Sequence, residues 1–237
     1  AIVDPGDKVM IPEPYFPLYP PDVVICGGEA SLYPCRFENG FVPTIEDLEE
    51  VVDDRTVAIL YNFPSNPTGG NVDERQRDEL VEFARANDLW LITDEVYDRI
   101  VYDSPHVSFL GAGYDKLVMV QSFSKTFAMT GWRIGYLLSP DPEFMAELTK
   151  MQYYVTACSN DAMQHAVLEA LEPLADAENL PWPDVVEDAP IGTTCIVLGS
   201  PYGRPLSASL GTLEGLLEVD SDRSEEHTSE LQSQFRI

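Results

Sequence analysis

The sequence predicts an α/β fold with a mostly parallel central sheet flanked by helices. Three short apolar runs lead to this prediction: TVAIL at 56–60, LWLIT at 89–93 and LVMV at 117–120. Each run is bounded by turn residues and is apolar throughout, as strands buried on both faces of a parallel sheet are. Helical segments alternate with these runs along the chain, which is the pattern of an α/β domain.

A helix is predicted between the first two strands, over residues 72–88. Its apolar stripe consists of Leu80, Val81, Phe83 and Ala84. Asp73 precedes the stripe and is a candidate N-cap, because its carboxylate can accept a hydrogen bond from a free N–H of the first turn. Residues 56–93 therefore form a strand–helix–strand crossover, the connection that joins parallel strands.

The remaining elements continue this alternation on both sides of the crossover. In chain order they are strands at 8–12 (KVMIP) and 22–26 (DVVIC), a helix at 44–52, a strand at 132–139, and helices at 141–155 and 159–171. Thr44 and Asp47 have the spacing of a capping box at the start of the 44–52 helix. Further on, TTCIVLGS at 193–200 has a strand-like composition but no clear partner.

The chain of 237 residues is strongly acidic, with 41 acidic and 14 basic side chains and a formal net charge of −27. Such a charge repels phosphate backbones and argues against nucleic acid as a partner. It resembles the composition of proteins from salt-adapted organisms, in which salt screens the self-repulsion. No run of about 18 apolar residues occurs, so neither a membrane-spanning helix nor a membrane partner is expected.

The cysteines give no sign of a metal site. They lie at Cys26, Cys35, Cys158 and Cys195, and no pair has the C-x-x-C spacing of a zinc site. Isolated cysteines in apolar surroundings are typical of a reducing compartment. We therefore expect a cytoplasmic location and no bound metal.

The chain divides by composition into three parts. Residues 1–171 carry the α/β pattern. Residues 172–222 are rich in proline and acid without a sustained period, and a shifted reading frame would explain their composition. RSEEHTSELQS at 223–233 resembles a translated sequencing adapter, so we expect residues 223–237 to be a non-native tail.

Unusual polar residues follow the predicted parallel strands. They are Asn66 after the first strand, Asp94 and Tyr97 after the second, Ser122, Ser124 and Lys125 after the third, and Arg133 at the start of the next. Ligands of open parallel sheets bind outside the carboxyl ends of the strands, so these side chains are expected to face one crevice. The mixture suits an aromatic, phosphorylated cofactor that carries a carbonyl group.

Four motifs in this order make the resemblance specific. They are PGDKVMIPEPYFPLY at 5–19, SNPTG at 65–69, DEVYD at 94–98 and SFSKTFAMTGWRIGY at 122–136. Together they resemble the pyridoxal-phosphate-dependent aminotransferases of fold type I, class I/II, the aspartate-aminotransferase-like class. The likeness covers roughly residues 1–171. It implies the large domain of that fold, incomplete at both ends, with pyridoxal 5'-phosphate as cofactor.

The resemblance also implies catalytic roles for Lys125, Asp94 and Tyr97. Lys125 is expected to bind the cofactor aldehyde covalently and later to carry a proton. Asp94 is expected to lie against the pyridine nitrogen and to keep it protonated. Tyr97, together with Asn66, is expected to donate hydrogen bonds to the phenolic oxygen of the cofactor.

The same resemblance implies how the rest of the cofactor is held. Ser122, Ser124 and Arg133 are expected to bind its phosphate, with the arginine forming a bidentate, charge-assisted contact. Phe16 is expected to stack on its ring.

The implied reaction is transfer of an α-amino group between an amino acid and a 2-oxo acid, in a homodimer of the full-length protein. A phosphate-binding glycine turn before Ala1 and a small domain with the arginine for the substrate carboxylate are not recognisable, so this chain could be inactive. Three alternatives stay open: a β-lyase or synthase of the same fold, the cofactor-binding domain of a transcription regulator, and a non-catalytic gene remnant.

Overall fold

The computed structural model describes residues 1–102, 104–175, 194–199 and 207–212. The strands in these residues are β1 (Lys8–Glu13), β2 (Glu29–Pro34), β3 (Thr56–Asn62), β4 (Trp90–Asp94), β5 (Leu117–Ser122), β6 (Ile134–Leu138), β7 (Thr194–Gly199) and β8 (Ser207–Thr212). The helices are α1 (Tyr19–Ile25), α2 (Ile45–Glu49), α3 (Glu74–Ala86), α4 (Phe123–Thr126), α5 (Pro142–Thr156) and α6 (Asp161–Ala175). Most of 172–222 and the predicted tail at 223–237 lie outside the described residues.

All eight described strands form one sheet in the order β2-β1-β3-β4-β5-β6-β7-β8. The four pairings from β2 to β5 are parallel, whereas β6, β7 and β8 continue the sheet with antiparallel pairings. This arrangement confirms the predicted α/β class and its mostly parallel strands within residues 1–171. The strand-like run at 193–200 corresponds to β7, which pairs with β6 and β8.

Helices cover both faces of the sheet. Neighbouring residues of a strand point to opposite faces, and Ala58 and Ile59 of β3 are both fully buried. Ile59 belongs to a cluster that also includes Leu48 of α2 and Leu80 of α3. Ala58 belongs to a separate cluster against which residues of α1 pack. The sheet is therefore the middle layer of three.

Helix α3 begins where its sequence predicts. The Asp73 carboxylate accepts a hydrogen bond from Gln76 N at 2.7 Å, and Gln76 Oε1 accepts one from Asp73 N at 3.0 Å. This reciprocal capping box satisfies N–H groups of the first turn that no carbonyl within the helix can reach. Helix α2 is also capped at its N-terminus, because Thr44 Oγ1 accepts a hydrogen bond from Asp47 N.

Asp73→Ala is expected to lower the free energy of unfolding by about 1 kcal/mol, the usual cost of losing an N-cap. Asp78→Ala is the matched control, because Asp78 lies on the same helix with an exposed side chain, and its described side-chain contact is the ion pair with Arg77. Urea unfolding of both variants provides the measurement. Equal midpoints for the two variants would contradict the capping role.

The strand predicted at 22–26 is wrong, because residues 22–25 belong to α1 and Cys26 is its C-cap. Pro20 lies in the first helical turn, where its missing N–H is not needed by the helix. The apolar run suggested a buried strand, but Val24 and Ile25 are 63% and 82% exposed. Only Val23 of this run packs against the sheet, together with Tyr19 one turn earlier.

The strand that lies between β1 and β3 in the sequence is instead β2, which pairs with β1 at the edge of the sheet. Its sequence, EASLYP, carries no continuous apolar run, and Tyr33 is its one buried residue. An edge strand covered mainly on one face does not need the uniformly apolar sequence of β3. For this reason the sequence pattern did not reveal it.

The carboxyl ends of β3 and β4 are level, and β5 continues two residues further at the same edge. Asn62 lies opposite Asp94, and Asp94 lies opposite Val120. Because β6 is antiparallel to β5, its amino end reaches the same edge, with Ser122 opposite Gly135. The loops that follow these strands therefore meet at one place.

In the described part of the chain every helix is too short or too polar to traverse a bilayer.

Candidate active site

A cavity of about 360 Å³ opens at this carboxyl edge of the sheet. Its lining includes all eight site residues predicted from the sequence: Phe16, Asn66, Asp94, Tyr97, Ser122, Ser124, Lys125 and Arg133. The volume falls in the range of about 300–1,000 Å³ that is usual for pockets binding small molecules. The fold thus gathers the predicted residues, while their individual roles stay predictions.

Asp94, the last residue of β4, is held by two hydrogen bonds. Tyr19 Oη donates to Asp94 Oδ2 at 2.7 Å, and Val96 N donates to Asp94 Oδ1 at 3.1 Å. Burial raises the pKa of Asp94 above its ordinary value, and these two bonds oppose that rise. Burial, with the adjoining Asp94 charge, also raises the pKa of Tyr19, so its hydroxyl stays protonated as the donor.

Tyr19 was not among the predicted site residues. Nothing in the local sequence marks it as a partner of a carboxylate that follows 75 residues later. The sequence feature that could have identified Tyr19 is its spacing from Phe16, because residues three apart in a helical turn lie on the same side. Their rings meet edge to face with centroids 5.5 Å apart, and both side chains line the cavity.

Tyr19→Phe is expected to raise the pKa of Asp94 further in the cofactor-free chain, because a hydrogen bond to the ionised carboxylate is lost. Carboxyl ¹³C chemical shifts followed through a pH titration measure this change. Tyr15→Phe is the control, since Tyr19 and Val96 are the described donors to that carboxylate. An unchanged titration in Tyr19→Phe would show that the bond does not control the acid.

Another group of lining residues presents hydroxyl groups and a guanidinium. Ser122 Oγ accepts a hydrogen bond from Ser124 N at 3.1 Å, and the two hydroxyl oxygens lie 2.8 Å apart. The Arg133 guanidinium donates to Thr130 O at 2.9 Å and is otherwise exposed. Arg133 has a φ of 52°, a left-handed backbone that is uncommon for a residue with a side chain.

Lys125 lies in α4, one residue after Ser124. Its Nζ is 5.5 Å from the centre of the Tyr97 ring, within the range of a cation–π contact. Lys8, Lys116 and Lys150, the other lysines of the chain, each form an ion pair with a carboxylate. The amine of Lys125 instead faces the cavity with an aromatic ring beside it.

Asn66 is presented by a tight loop that two glycines make possible. Gly69 has a φ of +74°, and its N–H donates to Ser65 O at 2.8 Å. Gly70 lies so close to another loop that an added Cβ would be 2.8 Å from Gly40 O. A side chain at either position would be strained, so this loop depends on both glycines.

A buried contact between Glu95 and His106 supports the turn that follows Asp94. Glu95 is 1% exposed and accepts hydrogen bonds from Thr93 Oγ1 and Phe109 N at 3.0 and 3.1 Å. His106 Nε2 lies 2.7 Å from Glu95 Oε2. The sequence suggested no role for His106, whereas the structure makes it part of the support behind the cavity.

A family model settles the relationship of this chain to known proteins. The model described as aminotransferase class I and II matches residues 1–181. The chain belongs to this family. An aspartate aminotransferase from Thermotoga maritima is 37% identical over 174 residues, which are 73% of this chain and 46% of that protein. Aromatic-amino-acid aminotransferase 2 from Thermococcus litoralis is 36% identical over 170 residues, or 70% of this chain and 43% of that protein.

Solved aminotransferase structures agree with the fold. The aspartate aminotransferase of Thermotoga maritima aligns with a TM-score of 0.68 and 37% identity, covering 72% of this chain and 46% of that one. A double mutant of the Thermus thermophilus aspartate aminotransferase gives 0.68 and 34%, covering 72% and 44%. The chain thus spans about half the length of these relatives.

The residues of this aminotransferase cavity fit pyridoxal phosphate, the cofactor of the family. Among the described residues no lysine or arginine forms an ion pair with Asp94, and the Lys125 charge only partly offsets the burial of its carboxylate, so a protonated ring nitrogen would supply a closer cation. Hydroxyls and a guanidinium suit a phosphate. Where side chains are described, no cluster of three His, Cys, Asp or Glu is arranged for a metal ion.

Proposed function

We propose that this chain is the cofactor-binding part of a pyridoxal-phosphate-dependent aminotransferase. The reaction is transfer of an α-amino group between an amino acid and a 2-oxo acid. The observation that carries the proposal is a single cavity lined by the Lys125 amine, the Asp94 carboxylate and the Ser122–Ser124–Arg133 group. The family names and the fit of these residues to the cofactor support it.

When bound, pyridoxal phosphate supplies an aldehyde and an electron-withdrawing ring that stabilises negative charge on the substrate α-carbon. The Asp94 carboxylate would hold a proton on the ring nitrogen and so keep the ring cationic. Lys125 Nζ would hold the cofactor through its aldehyde carbon, with the aldehyde oxygen leaving as water. Once the substrate amine displaced it, the free amine would be placed to carry a proton from the substrate α-carbon.

The other lining residues bind and orient. Ser122, Ser124 and Arg133 bind the phosphate through hydroxyl and guanidinium donors. Asn66 and Tyr97 donate hydrogen bonds to the phenolic oxygen. Phe16 covers one side of the ring. These contacts fix the reactive carbon near Lys125, which is the main contribution that a protein makes to cofactor chemistry.

The proposal is tested by mixing the 237-residue chain with pyridoxal phosphate, reducing with borohydride and mapping the modified lysine by mass spectrometry. We expect a new absorbance band and modification of Lys125. A folded chain without the band, or modification spread evenly over the four lysines, would overturn the proposal.

In the full-length protein, an aminotransferase converts the donor to a 2-oxo acid of unchanged carbon skeleton, whereas a β-lyase releases ammonia and shortens the side chain.

We further propose that the full-length protein is a cytoplasmic homodimer. Cys26, Cys35 and Cys158 are free thiols, which supports a reducing compartment. Tyr153 and Tyr154 at the end of α5 are 68% and 75% exposed, and exposed apolar groups of this size are typical of surfaces that another chain covers. Light scattering of the full-length protein measures its mass directly.

A further inference from the structure

Two buried amide side chains, Asn62 and Gln121, link the loops that carry the proposed cofactor contacts. Asn62 is the last residue of β3 and is 3% exposed, while Gln121 is the penultimate residue of β5 and is 6% exposed. They lie on the two strands that flank β4, whose last residue is Asp94. Neither residue was selected from the sequence, and we call them the bridging amides.

Each bridging amide joins two different segments of backbone. Asn62 Oδ1 accepts from Asn66 N at 2.7 Å, and Asn62 Nδ2 donates to Asp94 O at 3.0 Å. Gln121 Oε1 accepts from Ser122 N at 2.8 Å, and Gln121 Nε2 donates to Glu95 O at 2.8 Å. The adjacent carbonyl groups are thus held one from each side of β4, Asp94 O by Asn62 and Glu95 O by Gln121.

These bonds lie where the sheet ladder ends. Beyond that point the strands diverge into loops, and their backbone groups need other partners when they are buried. A primary amide presents a donor and an acceptor on one planar group, so it can satisfy an N–H and a C=O at once. A carboxylate has no donor and an aliphatic side chain has neither, so neither could make both bonds.

The four backbone groups belong to the segments that carry Asn66, Asp94 and Ser122. We propose that the bridging amides are positioning residues that set the spacing between the Asp94 carboxylate and the Ser122–Lys125 segment, to match the length of pyridoxal phosphate. This inference rests on the proposed function. Gln121 also lines the cavity, but its Nε2 and Oε1 are both engaged with backbone groups. The amides therefore act through the backbone of other residues, and their effect is specific to a ligand that contacts both segments.

Two probes separate this role from general stabilisation. Under the proposed function, pyridoxal phosphate would contact both Asp94 and the Ser122–Ser124–Arg133 group, whereas inorganic phosphate would contact only the Ser122–Ser124–Arg133 group. Gln121→Met, which is similar in size but cannot bridge, is expected to raise the Kd of pyridoxal phosphate about tenfold, the factor expected for one lost hydrogen bond. The Kd of inorganic phosphate is expected to stay within about twofold of wild type.

Tyr114→Phe is the matched control. Tyr114 is buried, and its hydroxyl donates to Ala84 O and Leu89 O away from the cavity. This variant removes a buried hydrogen bond and is expected to lower stability without changing either Kd. If Gln121→Met weakens both probes equally, or neither, the positioning role is wrong.

A measurement without cofactor keeps the inference separate from the proposed function. Hydrogen exchange at Ser122 N–H is expected to be about tenfold faster in Gln121→Met than in wild type. Exchange at Leu91 N–H, which donates to Lys116 O within the ladder, is expected to stay unchanged. Failure of wild type to bind pyridoxal phosphate would overturn the proposed function, whereas unchanged Ser122 exchange would overturn the bridging role.

Two further variants cover the case in which Gln121→Met does not fold. Gln121→Asn keeps the amide, but it is one methylene too short to reach both backbone groups. Asn62→Leu removes the bridge on the other side of β4 and is expected to accelerate exchange at Asn66 N–H. Normal affinity for pyridoxal phosphate in both variants would also contradict the inference.

Discussion

Lys125→Ala is expected to abolish the covalent capture of pyridoxal phosphate. A primary amine is required to bond to the aldehyde, and of the four lysines in the chain Lys125 is the one that lines the cavity. The variant keeps Asp94 and the phosphate-binding group, so it should still bind the cofactor without a covalent bond. The absorbance band and the borohydride-stable adduct are both expected to disappear.

Lys150→Ala provides the control for this loss. Lys150 is exposed on α5 and pairs with Glu147 one turn away, so its removal leaves the cavity intact. Its spectrum and adduct are expected to match those of the unaltered chain. A full-strength adduct in Lys125→Ala would mean that another amine reacts, and the proposed site would then be wrong.

The sequence could predict the cavity lining because strand ends are a simple geometric feature. Asp94 and Ser122 each end a strand of the parallel sheet, and parallel strands place their carboxyl ends at one edge. An apolar run followed at once by polar residues reveals both the strand and its end. The family motifs then added the expected role of each residue.

The same reasoning could not find Tyr19, Asn62 or Gln121. Their importance comes from contacts between segments that are distant in the sequence, such as the bond from Tyr19 to Asp94. An asparagine or glutamine near the end of a strand is locally ordinary, because either could be satisfied by solvent. Only the paired backbone groups of the neighbouring strands show that these amides are bridges.

The wrong strand at 22–26 has a related cause. Consecutive β-branched residues favour a strand when they are considered alone. Here the preceding proline and the contact of Val23 with the sheet fix a helix, and Val24 and Ile25 stay exposed. The packing of this segment against the sheet outweighed its local preference for a strand. A single sequence does not reveal such packing.

Asp94→Asn is expected to change cofactor binding and stability in opposite directions. The neutral amide cannot balance a cationic ring nitrogen, so a charge-assisted hydrogen bond worth about 1.5–3 kcal/mol is lost. The Kd of pyridoxal phosphate is therefore expected to rise about 10- to 100-fold. An analogue with carbon in place of the ring nitrogen should bind Asp94→Asn and the unaltered chain equally.

The stability of the cofactor-free chain is expected to increase near pH 7 in the same variant. Burial raises the pKa of Asp94, so the folded chain holds the carboxyl proton more tightly than the unfolded chain. As the pH rises from about 4, the ordinary aspartate value, through the raised pKa, the folded state loses stability. Asparagine does not ionise, so the gain should vanish at about pH 3.

Asp47→Asn is the control, with the opposite sign. Arg36 and then Thr44 donate hydrogen bonds that lower the pKa of Asp47, so its ionised form stabilises the fold above about pH 4 and this contribution is lost as the pH falls further. Its replacement should lower stability at pH 7 and leave cofactor binding unchanged.

A carboxylate that costs stability and yet improves ligand binding, as expected for Asp94, is typical of an active site, because the buried charge is compensated only by the ligand. If Asp94→Asn behaved like Asp47→Asn in both measurements, Asp94 would be a structural residue and the ring nitrogen would have no partner in this cavity.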